Sequence, residues 1–148
     1  VEVEPDTKIF PAFTPELRAD MIRETKLFAR SVFREDRSIL DFMDAKDTFV
    51  NERLARHYGI NGVKGEKMRR VSLPPKQRMG VLTHGSILTL TSNPDRSSLV
   101  RRGNWIVQNV LGIPLPDTPD NVPSLDEAAK KSGLSLREQL ALHRADPK

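Results

Sequence analysis

The sequence predicts an all-α fold, a bundle of short helices joined by long, proline-rich ordered loops. Apolar residues recur every three or four positions along several stretches, and residues that cap helices precede those stretches. The 11 prolines among 148 residues indicate long irregular connections. A hydrophobic fraction of 37% beside 30% charged residues is typical of a globular chain.

The first helix is predicted to begin after Thr14, which can cap it, with Pro15 at its first position. It continues to about Arg34. Its predicted buried stripe consists of Leu17, Met21, Phe28 and Val32. Ser38 and Asp41 resemble a capping box, and they predict a short second helix that covers the core with four apolar residues, Ile39, Leu40, Phe42 and Met43.

Asp47 is predicted to cap a third helix. Four residues would share one face of it, Val50, Leu54, His57 and Tyr58, and Gly59 would end it in a left-handed conformation. Residues 68–73 are predicted to form a short extended piece before two prolines. Residues 77–90 fit either a strand or a helix, and we favour a helix in which Gly80 and Gly85 permit close packing.

Ser98 can cap a further helix that carries Val100, Val107 and Leu111 and ends at Gly112. We therefore expect an extended lead-in over 1–13, a helical domain over 14–112, and a third segment over 113–148. In the third segment a proline-rich strap precedes a C-terminal helical hairpin, which is predicted to pack on the helical domain.

Five phrases of the sequence resemble a known family pair. They are residues 49–59, 82–93, 101–107, 116–123 and 142–147. Together they are similar to the planctomycete-type, cytochrome-c-associated domains of unknown function, two adjoining domains of large multidomain proteins. In that family the phrase His-Arg-x-Asp-Pro, here beginning at His143, is followed by a Cys-x-x-Cys-His haem-attachment motif.

The resemblance implies a non-catalytic accessory domain of a larger, exported c-type cytochrome-like protein. A haem domain would follow Lys148 and would be the main partner, with other domains of the same protein as further partners. The missing initiator Met and the end at Lys148 are expected of a piece of a longer chain. No cysteine is present, so no haem is bound covalently within these residues, and c-type haem is expected in the larger protein.

Histidine and methionine are the conventional axial ligands of haem, and they supply the predicted haem contacts. The candidates are His143, His84, His57 and Met79. His143 is the first choice because of its place in the resemblance, although a histidine there can also bridge core and solvent. For His57, a packed or helix-capping role is the simpler reading, and Met79 is better explained as core filler than as a ligand. His84 beside Gly85 can approach a cofactor closely or, equally, be an exposed helix residue.

A second hypothesis is a binding module for a partner protein or an anionic glycan. Its candidate contacts are Arg69, Arg70, Arg101, Arg102 and Trp105. The formal charge of +4 permits a polyanion, but acidic residues are interspersed and aromatic residues are few, so nucleic acid is not expected. The alternative for these residues is a solvated surface with a core tryptophan.

A third hypothesis is an enzyme in which His57 or His84 acts as a general base beside a distant carboxylate. No nucleophile elbow, phosphate loop or His-x-x-x-His spacing occurs in the sequence, so we predict no catalytic motif and no dedicated metal site. No stretch is apolar for long enough to predict a membrane span. The expected location, periplasmic or extracellular, is implied by the resemblance.

Overall fold

Helix α1 (Pro15–Arg34) organises the described part of the chain. It is contacted by one strand, β1 (Asp47–Val50), and by three helices, α2 (Asp41–Asp44), α3 (Glu52–Tyr58) and α4 (Gly85–Leu90). Thr14 caps it by accepting a hydrogen bond from the amide of Leu17 at 3.2 Å, and Pro15 occupies its first turn. The predicted stripe is buried, with Phe28 fully enclosed. The prediction for this helix is therefore confirmed.

The computed structural model describes residues 3–74, 77–115 and 137–138. The chain divides into two compact units, Val1–Ile113 and Pro114–Lys148. All helices and strands whose bounds are described lie in the first unit. In the second unit, residues 137–138 are helical. The predicted strap and hairpin, including His143, lie largely outside the described residues, and their packing on the helical domain stays a prediction.

A two-stranded antiparallel sheet shows that the all-α prediction is wrong, and the fold is a small mixed α/β domain. Strand β1 (Asp47–Val50) pairs with β2 (Arg69–Ser72), with Asp47 opposite Ser72 and Val50 opposite Arg69. The predicted extended piece at residues 68–73 is confirmed as β2. The prediction is wrong for its partner, because the sequence favours a helix that is capped by Asp47 and contains Val50.

The physical reason for the strand is that Asn51, and not Asp47, caps helix α3 (Glu52–Tyr58). The Asn51 side chain accepts a hydrogen bond from the amide of Leu54 at 2.9 Å. Asp47 instead accepts from Arg37, whose Nη2 lies 2.8 Å from its Oδ1. Thr48 and Val50 point inward in alternation, which is the pattern of a half-buried strand of β-branched residues. Gly59 ends α3 at φ +71°, as predicted.

Residues 77–90 form two short helices in place of the predicted one. A 3-10 turn (Val81–Thr83) is followed by α4 (Gly85–Leu90), and His84 between them has an extended backbone. Gly80 has φ +56° and its amide donates to the carbonyl of Ala45. Backbone and side chains crowd both glycines, so the prediction of close packing holds although the continuous helix does not.

The short helix α2 (Asp41–Asp44) covers less of the core than predicted. Phe42 packs edge-on against Phe28, but Ile39 and Leu40 are each 67% exposed. The core consists of two buried clusters. One contains Leu17, Met21, Val50, Leu54, Ala55 and Tyr58, and the other contains Phe28, Val32 and Ala45.

Helix α5 (Leu99–Asn109) begins at Ser98, whose hydroxyl accepts from the amide of Arg101, as predicted. None of its residues is buried. Large apolar side chains on and just after it remain exposed: Leu99 by 52%, Val100 by 48% and Leu111 by 60%. Among the described residues, no helix has both the length and the apolar character needed to cross a membrane.

Candidate functional site

A carboxylate lies in the interior of the first unit. Glu24 projects from α1 and is 1% exposed. The hydroxyl of Thr48 on β1 donates to its Oε1 at 2.6 Å, and the hydroxyl of Tyr58 on α3 donates to its Oε2 at 2.6 Å. Both carboxylate oxygens therefore have hydroxyl donors, from two elements that pack on the same helix.

His84 extends this group of buried polar residues. Its Nδ1 lies 2.9 Å from Oγ1 of Thr25, which also lies 2.7 Å from the hydroxyl of Ser86. Its Nε2 lies 4.0 Å from Oε1 of Glu24, and Phe28 packs edge-on against the ring. We refer to these residues as the interior polar cluster. It consists of Glu24, Thr25, Thr48, Tyr58, His84 and Ser86.

Burial sets the protonation of this cluster. It raises the pKa of Glu24 to about 7, although the hydrogen bonds from Thr48 and Tyr58 and the charge of Arg78 oppose the shift. Burial, followed by the charge of Arg78, lowers the pKa of His84 to about 4. Burial and the neighbouring Glu24 raise the pKa of Tyr58. His84 is therefore neutral near pH 7, where Glu24 is close to its titration midpoint.

Gly85 brings the start of α4 against this cluster. Its amide donates to the hydroxyl of Tyr58 at 2.8 Å, which leaves the Tyr58 proton directed to Glu24. A Cβ at this position would lie 2.8 Å from that same hydroxyl and 2.8 Å from the sulfur of Met21. A side chain here would force the Tyr58 hydroxyl or the end of Met21 to shift, so the glycine lets α4 approach α1 and α3 closely.

A groove of about 600 Å³ runs along the outside of the cluster. One wall is the N-terminal segment 5–13, which is tied to the turn after α4 by a 2.8 Å bond from the Asp6 amide to the Pro94 carbonyl. Tyr58 and Arg78 also line the groove. Arg78 lies over the Tyr58 ring, with 3.7 Å between its central carbon and the ring centroid, and donates to the Thr83 carbonyl at 2.6 Å.

The haem-contact candidates lie in different places. His84 is 2% exposed and belongs to the interior polar cluster, His57 lines the groove, and Met79 is 44% exposed. Burial and the nearby Arg78 lower the pKa of His57. His143 lies outside the described residues. These candidates do not form one site within the described part, and their roles toward haem stay predictions.

The basic candidates are also divided. Arg70 binds Glu35 through Nη2 at 2.6 Å, and Arg69 donates to the Lys64 carbonyl, so both arginines of β2 have partners within the fold. Arg101 donates to the Ser92 carbonyl, and the half-buried Trp105 lies on the same helix. Of the five, Arg102 alone lines the groove. A joint contact surface of all five stays a prediction.

Sequence reasoning missed Glu24, Thr48, Tyr58 and Arg78 as members of a shared site. One signal was available: Glu24 falls between Met21 and Phe28 on the apolar stripe of α1, where a carboxylate is rarely placed without a partner. The enzyme hypothesis expected a histidine beside a distant carboxylate, and His84 does lie near Glu24, but both are enclosed. Within the described ranges, no group of histidine and acidic residues could hold a metal ion.

The fold and the enclosed cluster define a small mixed α/β domain whose ionisable interior is hydrogen-bonded to itself. No buried side-chain nitrogen or oxygen of the described residues lacks a partner.

Residues 1–60 match the family model PSD4, "Protein of unknown function (DUF1592)", and residues 78–148 match PSCyt3, "Protein of unknown function (DUF1588)". The chain belongs to these two adjoining, planctomycete cytochrome-c-associated domain families, as the resemblance predicted. No curated protein and no solved structure matches the chain significantly.

Proposed function

We propose that the chain is a non-catalytic accessory part of a larger, exported c-type cytochrome-like protein and that it packs beside the haem domain. The family matches support the association with cytochrome c. The proposal includes export of the whole protein, because c-type haem is attached outside the cytoplasm. His143 is its leading haem-contact residue, with His57 and Met79 as the exposed further candidates.

The structural observation that carries this proposal is the incompletely covered apolar side of helix α5, where Leu99, Val100 and Val110 are exposed and Ile106 is half-buried. A helical projection places Leu99, Val100, Ile106 and Val110 on that side, and Arg101, Asn104 and Gln108 on the other. An isolated helix of 11 residues is only marginally stable in water. A packing partner would supply the burial that α5 lacks within its own unit.

The proposed role requires shape more than special residues. A protein wall beside a haem excludes water and places hydrogen bonds, and both effects adjust the reduction potential. The interior polar cluster suits such a wall, because its buried groups bond to one another and hold α1, β1, α3 and α4 together.

The test uses the full-length protein and two charge substitutions near the end of α5. Val110→Glu places a carboxylate on the apolar side, where Val110 is 40% exposed, and Gln108→Glu places one on the polar side. Both carboxylates lie at the same end of the helix, so its dipole affects them similarly. Amide exchange along α5 and the reduction potential of the haem are measured.

We expect Val110→Glu to accelerate exchange along α5 and to shift the haem potential, while Gln108→Glu leaves both close to the native values. Equal effects of the two substitutions, or rapid exchange of α5 in the native full-length protein, would contradict packing through this side. A full-length protein that contains no haem would contradict the proposal as a whole.

A further inference from the structure

The groove beside Tyr58 has an unusual balance of charge. Its lining includes three arginines, Arg78, Arg96 and Arg102, and contains neither aspartate nor glutamate. Arg96 binds Asp95 at 2.7 Å. Arg78 and Arg102, in contrast, have no carboxylate within ion-pair distance among the residues that the structure describes. Two cations of the groove therefore have no direct ion-pair partner among the described residues, although the charge of Arg78 also acts on the buried Glu24, and this balance favours an anionic occupant.

The two guanidiniums are fixed by other groups. Arg78 is stacked on the Tyr58 ring and bonded to the Thr83 carbonyl, and Nε of Arg102 donates to Thr91 at 3.3 Å. Tyr58 is itself held by Glu24 and the Gly85 amide. Each guanidinium uses one of its five N–H groups in these bonds, so donors remain for a bidentate contact with a carboxylate.

The rest of the lining is largely apolar. The N-terminal wall contributes Ile9, Phe10 and Phe13, and α4 contributes Leu88. Ile9 and Phe10 are 51% and 41% exposed, so they retain apolar surface that an occupant could cover. A volume of about 600 Å³ is within the usual range of small-molecule sites. An occupant with an apolar body as well as an anionic head would match both parts of the lining.

We propose that this groove binds a small organic carboxylate with an apolar chain, whose head contacts Arg78 and Arg102 and whose chain lies along Phe10, Phe13 and Leu88. This proposal does not rest on the proposed haem contact, although His57, a further haem-contact candidate, also lines the groove. It also differs from the predicted glycan surface, because its apolar wall favours an amphipathic acid over a uniformly polar polymer.

The probe is octanoate, titrated into the chain and followed by NMR at Tyr58, His57 and Leu88. Octan-1-ol has the same apolar chain without the charge, and acetate has the charge without the chain. We expect octanoate to bind at least tenfold more tightly than either comparison molecule. Equal affinity for octanoate and octan-1-ol, or no saturable shift with octanoate, would overturn the proposal, and neither result depends on a variant.

Substitutions locate the head group. Arg78→Gln should weaken octanoate binding at least tenfold and leave octan-1-ol binding unchanged, and Arg102→Gln, which leaves the Tyr58 stack intact, should weaken it severalfold. Arg69→Gln is the matched control, because Arg69 is an arginine outside the groove. Native octanoate affinity in both groove variants would overturn the assignment. A peptide with a free C-terminal carboxylate that binds more tightly than octanoate would assign the groove to a protein segment instead.

Discussion

The hydroxyl of Tyr58 donates to Oε2 of the buried Glu24 at 2.6 Å and accepts a hydrogen bond from the amide of Gly85. This single atom joins α1, α3 and α4. Removing it would deprive a carboxylate and a backbone amide of their partners at once, and a buried polar group without a partner is costly.

Tyr58→Phe should therefore lower the free energy of unfolding by about 1–3 kcal/mol, since it removes one donor and one acceptor from the interior. Urea denaturation followed by circular dichroism measures the change. His57→Gln, at the exposed neighbouring residue, is the control and should change the stability by less than about 0.5 kcal/mol. A Tyr58→Phe protein as stable as the native one would show that the hydroxyl is dispensable.

The pH dependence of stability should contain two opposing contributions. Glu24 has a pKa of about 7 when folded and 4.5 as its ordinary value, so its contribution falls as the pH rises from about 4.5 to about 7. His84 has a pKa of about 4 when folded and 6.5 ordinarily, so its contribution rises with pH between about 4 and 6.5. Between 4.5 and 6.5 the two slopes largely cancel.

Two variants separate these contributions. Relative to the native protein, Glu24→Gln should make the slope of unfolding free energy against pH more positive over this interval, by up to about 1.4 kcal/mol per pH unit. His84→Gln should make it more negative by a similar amount. Denaturant titrations at half-unit pH steps provide the slopes. Identical pH profiles in all three proteins would contradict the protonation states assigned to the cluster.

Two glycine substitutions should have opposite signs. Gly85→Ala places a methyl group 2.8 Å from the Tyr58 hydroxyl and should destabilise the fold by about 1–3 kcal/mol. Gly103→Ala, within α5, meets no atom within 4 Å and should stabilise by about 1 kcal/mol through helix propensity. Thermal unfolding of both variants makes the comparison. Stabilisation by Gly85→Ala would disprove the close approach of α4.

The corrected start of α3 can be tested at one amide. Asn51→Ala should accelerate exchange of the Leu54 amide and cost about 1 kcal/mol, because it removes the cap. Asp47→Ala should leave that amide protected, and it should instead remove the hydrogen bond from Arg37 to Asp47. The reverse pattern of exchange would restore Asp47 as the cap and contradict strand β1.

Much of the helical framework could be predicted from local signals. The Thr14 cap with Pro15, the left-handed Gly59 and the Ser98 cap all depend on neighbouring residues, and the structure bears each of them out. Strand β1 could not be recognised in this way. Val50 is spaced from Leu54 as on a helix, and what makes residues 47–50 a strand is their pairing with residues 69–72, about twenty positions later.

The site was harder to predict for the same reason. Glu24, Thr48, Tyr58 and Gly85 come from four separate elements, and no spacing in the sequence connects them. The sequence marks His84 as a candidate only because histidine can bind haem or act as a base. It does not indicate which residues surround His84, and so it does not predict that His84 is buried. Arg78 acquires its place from the ring of Tyr58, which is twenty positions away in the chain.

The absorption spectrum of the full-length protein tests the proposed cytochrome association most directly. The protein is matured in a host that attaches haem, and spectra of the oxidised and reduced forms are recorded for the native protein, for His143→Ala, for the further candidate His57→Ala and for the control Gln108→Ala on the polar side of α5. We predict a c-type spectrum that shifts with His143→Ala more than with His57→Ala and does not shift with Gln108→Ala. A haem-free protein, or a spectrum indifferent to His143, would contradict the proposed haem contact.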